Sequence, residues 1–433
     1  MSGFFSRPWY VVGLLACLGL VSIVDRIALS LLIEPLKADL HITDTQAGLL
    51  IGPTFAIVYT LSAFPIAWGL DHGNRKWIAI AGVTLWSLST TASAFVPNFE
   101  WLFAFRMGVG VGEAVLNPVA VSLIGDLFVR ERRATPTSVF FSAQTLGGSL
   151  SFLLVAAIVA AWSNDQLGVP PSLAAVEPWR VALFLIGLPG LVLALIMAVS
   201  FREPKRGTMD AKSGGPLEKP PPGAFASTRA AIRFYLPFLL GINLIGMMQI
   251  ISVSWIPTFL IRTLDAPLSD VGFLFGNALL VACVGTLAGP MIAERFVLRG
   301  RRDAAYFVLA ISIPAAALSL LAAITVRDLI WATVFIACFH TFTNSVIVMP
   351  SVVISSIGGA NTRARLVAAH LFVQAILAYT VGPVLVPVLS QSWFDGLLGP
   401  AILTVGAVAF PLSCIMLAFG WRPYRDAVNV GHA

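Results

Sequence analysis

Twelve apolar runs, each about 20 residues or longer, follow one another along this chain with mostly short polar breaks, and no other feature restricts its folding as severely. They lie near residues 9–36, 45–70, 77–96, 101–128, 135–162, 179–201, 232–262, 270–293, 304–325, 329–357, 366–389 and 400–419. A helix of that length crosses the roughly 30 Å hydrocarbon core of a bilayer with its backbone polar groups bonded internally. Hydrophobic residues make up 58% of the chain and charged residues 11%, a balance outside that of soluble domains. The fold class expected is an all-α polytopic membrane protein with twelve transmembrane helices in two pseudo-symmetric six-helix halves. Residues 1–201 form the first half and 232–419 the second, with a cytoplasmic linker at 202–231 and a cytoplasmic tail at 420–433. The first run is too long for a signal peptide and no small-residue cleavage site follows it, so it reads as a retained helix. Cys17, Cys283, Cys338 and Cys414 all fall inside apolar runs and read as packing residues rather than as a disulfide or metal framework.

Basic residues set the orientation, because cytoplasmic loops hold the excess of Lys and Arg. One set of alternate loops carries Arg75 and Lys76, then Arg130, Arg132 and Arg133, the basic residues between Arg202 and Arg233, then Arg295, Arg299, Arg301 and Arg302, and finally Arg363 and Arg365. The opposite set holds only Lys37, Arg180, Arg262 and Arg327. Both termini are therefore expected in the cytoplasm, with the chain in a cell (inner) membrane. The net charge of +6 follows from topology, and nucleic acid is not implied as a partner.

Within the fourth run, RMGVGVGEAVLNPVAVSLIGDLF at 106–128 carries Arg106 and Glu113 among glycines and aliphatics. A charge at the bilayer centre costs at least about 2.5–3.5 kcal/mol, so one is rarely kept there without a polar partner or a water-filled cavity. Seven residues are two helical turns, so the two charges share a face. Gly108, Gly110 and Gly112, at spacing two, offer small surfaces to more than one neighbouring helix. One reading is a structural Arg–Glu pair that locks helix packing; the other is a protonation or anion site. The first run adds Asp25 and Arg26, and helical rise places Asp25 about 10 Å from the periplasmic face, between Arg106 at about 8 Å and Glu113 at about 18 Å. The two runs can thus share one cluster, although adjacent residues point about 100° apart and one of Asp25 and Arg26 is then left to pack on a neighbour. As the acids placed well inside the helices, Asp25 and Glu113 are the candidate proton carriers, tuned by Arg26 and Arg106, since proton affinity of a buried acid depends on how near an arginine stands. Glu34, Lys37 and Asp39, at the exit of the first run, read as solvated, and Thr43 with Gln46 as a capping box.

Between the second and third runs stands AWGLDHGNRKW, residues 67–77. Asp71, Arg75 and Lys76 match the loop motif of the major facilitator superfamily, which this segment resembles. Ala67, His72 and Asn74 replace the motif's first glycine, its arginine and its second glycine, and Asn tolerates the left-handed geometry of a tight turn. Asp25-Arg26, Asn74-Arg75-Lys76, Gly-Val-Gly-Glu-Ala at 110–114 and Asp-Leu-Phe-Val at 126–129 together resemble the Spinster branch, mainly over the N-terminal half. The resemblance implies a twelve-helix transporter without enzymatic activity or cofactor. It also implies a gate built on Asp71, Arg75, Lys76, Asp126 and Arg133, with Glu294 and Arg295 at the corresponding place in the second half. There Arg301 and Arg302 echo the basic pair, while Arg363 and Arg365 echo Arg130–Arg133.

Polar residues of the second half are neutral: Asn243, Gln249 and Ser252, then Asn277, His340, Asn344, His370 and Gln374. His340 and Asn344 share a face at i, i+4, as do His370 and Gln374. Asn117, Gln144, Asn243, Gln249, His340, Asn344, His370 and Gln374, with Arg26 and Arg106, form the candidate substrate-binding set. Neither a metal motif nor a phosphate-binding loop is present. The reading is a proton-coupled secondary transporter, expected as a monomer among membrane lipids, for an amphiphilic or lipid-like substrate such as a lysolipid or sphingoid compound. An organic anion symporter, which also carries GxGEA, and a multidrug exporter are the alternatives.

Overall fold

A computed structural model describes residues 8–129, 132–164, 175–200, 202–204, 228–301, 303–357, 366 and 369–430. Eleven helices among the described residues are long and apolar enough to cross a membrane. They are α1 (Pro8–Leu31), α2 (Asp44–His72), α4 (Phe99–Leu127), α5 (Thr135–Ser163), α6 (Pro178–Ser200), α7 (Arg233–Leu264), α8 (Leu268–Leu298), α9 (Ala304–Thr325), α10 (Leu329–Ile354), α11 (Ala369–Trp393) and α12 (Leu398–Asp426). The remaining run is α3 (Arg75–Ser93), which is less apolar. Its Trp86, Ser87, Ser89, Thr90 and Ser93 are buried against neighbours, so its polarity is turned away from lipid. Cys17, Cys283, Cys338 and Cys414 are free thiols.

Chain contacts divide the molecule into one unit of Met1–Pro216 with Pro267–Gly276 and a second of Leu217–Ala266 with Asn277–Ala433. Within the first, α1 packs on α5 and α6, and α3 packs on α4 and α6. Within the second, α7 packs on α11 and α12, and α9 on α10 and α12, so the same pairs recur. Residues 205–227, most of the expected linker, lie outside the described residues, as do Arg130, Arg302, Arg363 and Arg365 of the expected basic loops.

Close approach within the first unit rests on the glycines of α4. Gly112 lies where a Cβ would stand 2.6 Å from the Gly82 carbonyl and 2.7 Å from the Trp86 nitrogen of α3. Gly110 faces α2 instead, where a Cβ would meet the Phe55 carbonyl at 3.0 Å. Spacing of two thus serves two neighbours. Gly112→Ala should lower stability by about 1–3 kcal/mol through overpacking, read as an earlier thermal unfolding midpoint of the detergent-purified protein.

Helix ends follow local chemistry. Thr43 and Gln46 form the expected capping box at the start of α2, and Asn74 caps α3 by accepting from the Trp77 amide. Asn74 does this at φ −86°, in extended backbone, so the left-handed turn expected there does not form; a side-chain cap replaces it. Asp39, expected to be solvated, accepts from Arg180 (2.7 Å) and from the Trp179 indole (3.0 Å). Arg180 also donates to the Ala94 and Val96 carbonyls that end α3. The tail expected from residue 420 is helical to Val430. Tyr424 holds it, buried against Phe234 and Tyr306 in the second unit.

Prolines interrupt several spans without breaking them, because neighbours re-satisfy the freed carbonyls. Pro387 cannot donate to the Pro383 carbonyl one turn back, and the Trp255 indole of α7 donates to it at 2.9 Å. Just before this point α11 contains a π-helical segment, Ala375–Val381.

Candidate functional site

Four charges meet inside the first unit. Arg26 donates through Nε and Nη2 to Glu113 Oε2, at 3.0 and 2.5 Å, and Arg106 Nη1 lies 3.8 Å from Asp25 Oδ1. The pairing is therefore crossed. Arg106 and Glu113 share a face of α4 as their spacing dictates, but about 10.5 Å of rise separates them and each finds its partner on α1. Asp25 and Arg26 both engage α4, although one of them was expected to turn aside. Asp25, with a short side chain, enters the seam where Thr90 of α3 donates to its Oδ2 at 2.5 Å. Arg26 has a stem long enough to absorb the 100° offset and bends over the Phe55 ring of α2 to Glu113.

Burial differs sharply within the cluster. The Asp25, Arg106 and Glu113 side chains are at most 2% exposed, whereas that of Arg26 is 20% exposed. Arg26 is thus the most solvent-accessible member of the cluster. Oδ1 of Asp25, Oε1 of Glu113 and Nε of Arg106 are buried and have no hydrogen-bond partner among the described residues. Buried polar atoms are nearly always bonded, so two carboxylates each keeping one unsatisfied oxygen make this cluster the candidate site.

A neutral ladder adjoins the cluster. Gln144 of α5 donates to Asn117 Oδ1 at 2.8 Å, and Asn117 of α4 donates to the Tyr59 hydroxyl of α2 at 3.2 Å. All three side chains are partly exposed. Tyr59, Phe55 and Thr90 were not among the residues expected from the sequence, where no motif marks them.

The expected gate residues gather at the other end of α4. Arg75 is buried and donates to Asp126 Oδ2 at 2.5 Å and to Glu203 Oε1 at 2.9 Å. Its remaining donors reach the Ser122 hydroxyl and the Pro204 carbonyl. Glu203 also accepts from the backbone amides of Arg75 and Lys76, which places a carboxylate on the positive end of α3. It was expected to belong to the linker, because only its three-dimensional seat distinguishes it from the charges that follow. Lys76 donates to the Ala198 carbonyl near the end of α6, and Arg133 to the Gly125 and Phe128 carbonyls that end α4. Asp71 lines a cavity of about 320 Å³ with Ala67, Leu70, Arg75, Pro118, Ser122 and Asp126. His72 stacks on Trp68 and bonds its carbonyl. In the second unit Glu294 and Arg295 are exposed in the last turns of α8.

The neutral polar residues of the second unit pair with one another. His340 of α10 bonds Ser252 of α7 at 3.0 Å, and His370 of α11 bonds Asn243 of α7 at 3.1 Å. Gln249 donates to Asn344 Oδ1 at 2.6 Å, and Asn344 donates to the Ala282 carbonyl of α8. Gln374 lies partly exposed beside the π-helical segment.

Known proteins share this architecture. An MFS-type efflux pump of Mycolicibacterium smegmatis is 29% identical over 427 residues, covering 94% of this chain and 92% of the pump. Protein spinster homolog 1 of Xenopus tropicalis is 28% identical over 302 residues, 66% of this chain, which spans 54% of that relative. Among solved structures, a bacterial homologue of the human lysosomal transporter Spinster superposes with a TM-score of 0.80 at 24% identity, over 99% of both chains. The family model of the Major Facilitator Superfamily matches residues 14–383, and with the multi-pass helical fold this shows that the chain belongs to that superfamily of membrane transporters.

Proposed function

We propose that this transporter is proton-coupled and moves an amphiphilic, lipid-like or organic anionic substrate by alternating access, with Asp25 and Glu113 as the proton carriers. The observation that supports this is the closed four-charge cluster in which each acid keeps one buried oxygen without a hydrogen bond among the described residues. Asp25 and Glu113 balance Arg26 and Arg106, so the cluster is neutral as it stands. A proton on Glu113 Oε1 weakens its hold on Arg26, and the partly exposed guanidinium then becomes available to an oxygen-rich head group. Asp25 and Arg106, also buried, respond to that change through the shared field. Asn117 and Gln144, and in the second unit Asn243, Gln249, His340, Asn344, His370 and Gln374, are the candidate polar contacts for the rest of the substrate. The protein then works as a monomer in a cell (inner) membrane with Asp71, Arg75 and both termini on the cytoplasmic side. Asp71, Arg75, Lys76, Asp126 and Arg133, with Glu294 and Arg295, serve as the gate. Proteoliposome uptake of lysolipids, sugar acids and dyes, with and without a proton gradient, tests the reading; transport indifferent to the gradient removes it.

A second reading is favoured by the efflux pump that matches nearly the whole chain: export of varied amphiphilic compounds, with an acid receiving a cation. The two arginines separate the readings. Arg106 is fully buried, so Arg106→Lys should shift the pH dependence of binding for every ligand alike. Arg26→Lys replaces a planar fork with a point charge and should weaken anionic ligands about tenfold while sparing cations. Equal loss for anions and cations in Arg26→Lys would favour the exporter.

A further inference from the structure

We propose that Tyr59 is both a positioning and a ligand-reading residue. Its ring holds Arg26 against Glu113, and its hydroxyl, at the end of the Asn117–Gln144 ladder, receives the oxyanion of the substrate's head group. The inference rests on the reading of the four-charge cluster as the transport site and extends it to a residue that no sequence motif marks.

Two observations meet at Tyr59. Phe55 and Tyr59 stand one turn apart on α2 with ring centroids 5.4 Å apart. The Arg26 guanidinium lies 4.3 Å from the Phe55 centroid and 5.4 Å from that of Tyr59. A guanidinium is drawn to the negative face of an aromatic ring, so the two rings form a wall that keeps Arg26 turned toward Glu113. The same tyrosine ends the polar ladder. Gln144 donates to Asn117 and Asn117 donates to Tyr59, so the direction of donation runs toward Tyr59. Its oxygen accepts, and among the described residues no hydrogen bond donated by its own O–H is found.

Arg26 and Tyr59 are both partly exposed, and the Arg26 guanidinium lies against the Tyr59 ring. Both are donors, and one is cationic. An amine would face the charge of Arg26, whereas a phosphate or carboxylate oxygen accepts from both Arg26 and the Tyr59 hydroxyl. The chemistry selected is therefore an oxyanion-bearing head group. Tyr59 connects it to Glu113 through Arg26, because a ligand that pulls on the guanidinium changes what the carboxylate is paired with.

The test uses the full chain in nanodiscs with three labelled probes: lysophosphatidylglycerol (anionic), monopalmitoylglycerol (neutral) and sphingosine (cationic). Tyr59→Phe keeps the ring and removes only the hydroxyl. It should weaken lysophosphatidylglycerol about tenfold, equivalent to about 1.4 kcal/mol, and change the other two by less than about twofold. Tyr59→Leu removes the ring as well and should flatten the pH profile of lysophosphatidylglycerol binding, which Tyr59→Phe retains. Wild-type affinity for the anion in Tyr59→Phe overturns the proposal, as does equal weakening of all three probes. Failure of wild-type protein to bind lysophosphatidylglycerol also overturns it. Gradient-driven transport that persists in Glu113→Gln, together with selective anion loss in Tyr59→Phe, would instead remove the proton-carrier reading and leave Tyr59 in place.

Discussion

Glu113→Gln should reduce gradient-driven transport in proteoliposomes to the level of empty vesicles while leaving substrate exchange at equal pH measurable, and Asp25→Asn should do the same. Glutamine keeps the volume of the side chain and one oxygen for the Arg26 Nε and Nη2 donors, so packing is preserved. What it lacks is an oxygen that exchanges a proton. In the wild type that oxygen is Oε1, buried and without a hydrogen-bond partner among the described residues, and its counterpart in Asp25 is Oδ1. Because Arg26 crosses from α1 to Glu113 and Arg106 crosses from α4 to Asp25, removing one acid leaves its arginine without a counter-charge while the other pair persists. The two variants should therefore both lose coupling, and the double variant should lose no more than either alone. Undiminished gradient-driven transport in both single variants removes the proton-carrier assignment.

Arg75→Ala should destabilise the first unit by about 3–5 kcal/mol, the expected penalty for leaving buried carboxylates without their partner. Arg75 is 3% exposed at its side chain and is shared by Asp126 and Glu203, themselves 10% and 16% exposed, so solvent replaces it poorly. Its side-chain donors reach two acids, the Ser122 hydroxyl and the Ser122 and Pro204 carbonyls, joining the start of α3 to the ends of α4 and α6. Lysine at this position supplies a charge without the fork and should recover only part of the loss. The measurement is the thermal unfolding midpoint of purified protein together with hydrogen exchange at the start of α3. An unchanged midpoint, with protection of the Arg75 and Lys76 amides intact, would show that Glu203 and Asp126 do not depend on this guanidinium.

Much of this protein is legible without coordinates. Apolar length alone implies the spans, since a bilayer leaves the backbone no other way to bond. The exception is instructive: α3 was expected as an apolar run, yet its serines and threonines make it the least apolar, and only its buried position among α4 and α6 accounts for it as a span. Periodicity also placed Arg106 and Glu113 on one face and the three glycines against two neighbours. Asp25 and Glu113 stood out because a charge in an apolar run needs a reason.

Which charge meets which is a different kind of fact. Nothing along the chain says that Arg26 takes Glu113 and Arg106 takes Asp25, that Thr90 joins Asp25, or that Tyr59 stands between Arg26 and the Asn117–Gln144 ladder. Glu203 looked like linker because its role depends on the amides of α3, more than 120 residues away in sequence, coming to meet it. The sequence by itself determined the solvent each helix lives in and the positions where charge is tolerated only for a purpose. Tertiary structure decided the partners, because a pair between helices depends on side-chain reach and interhelical distance. Those quantities belong to packed helices rather than to the order of residues along any one of them.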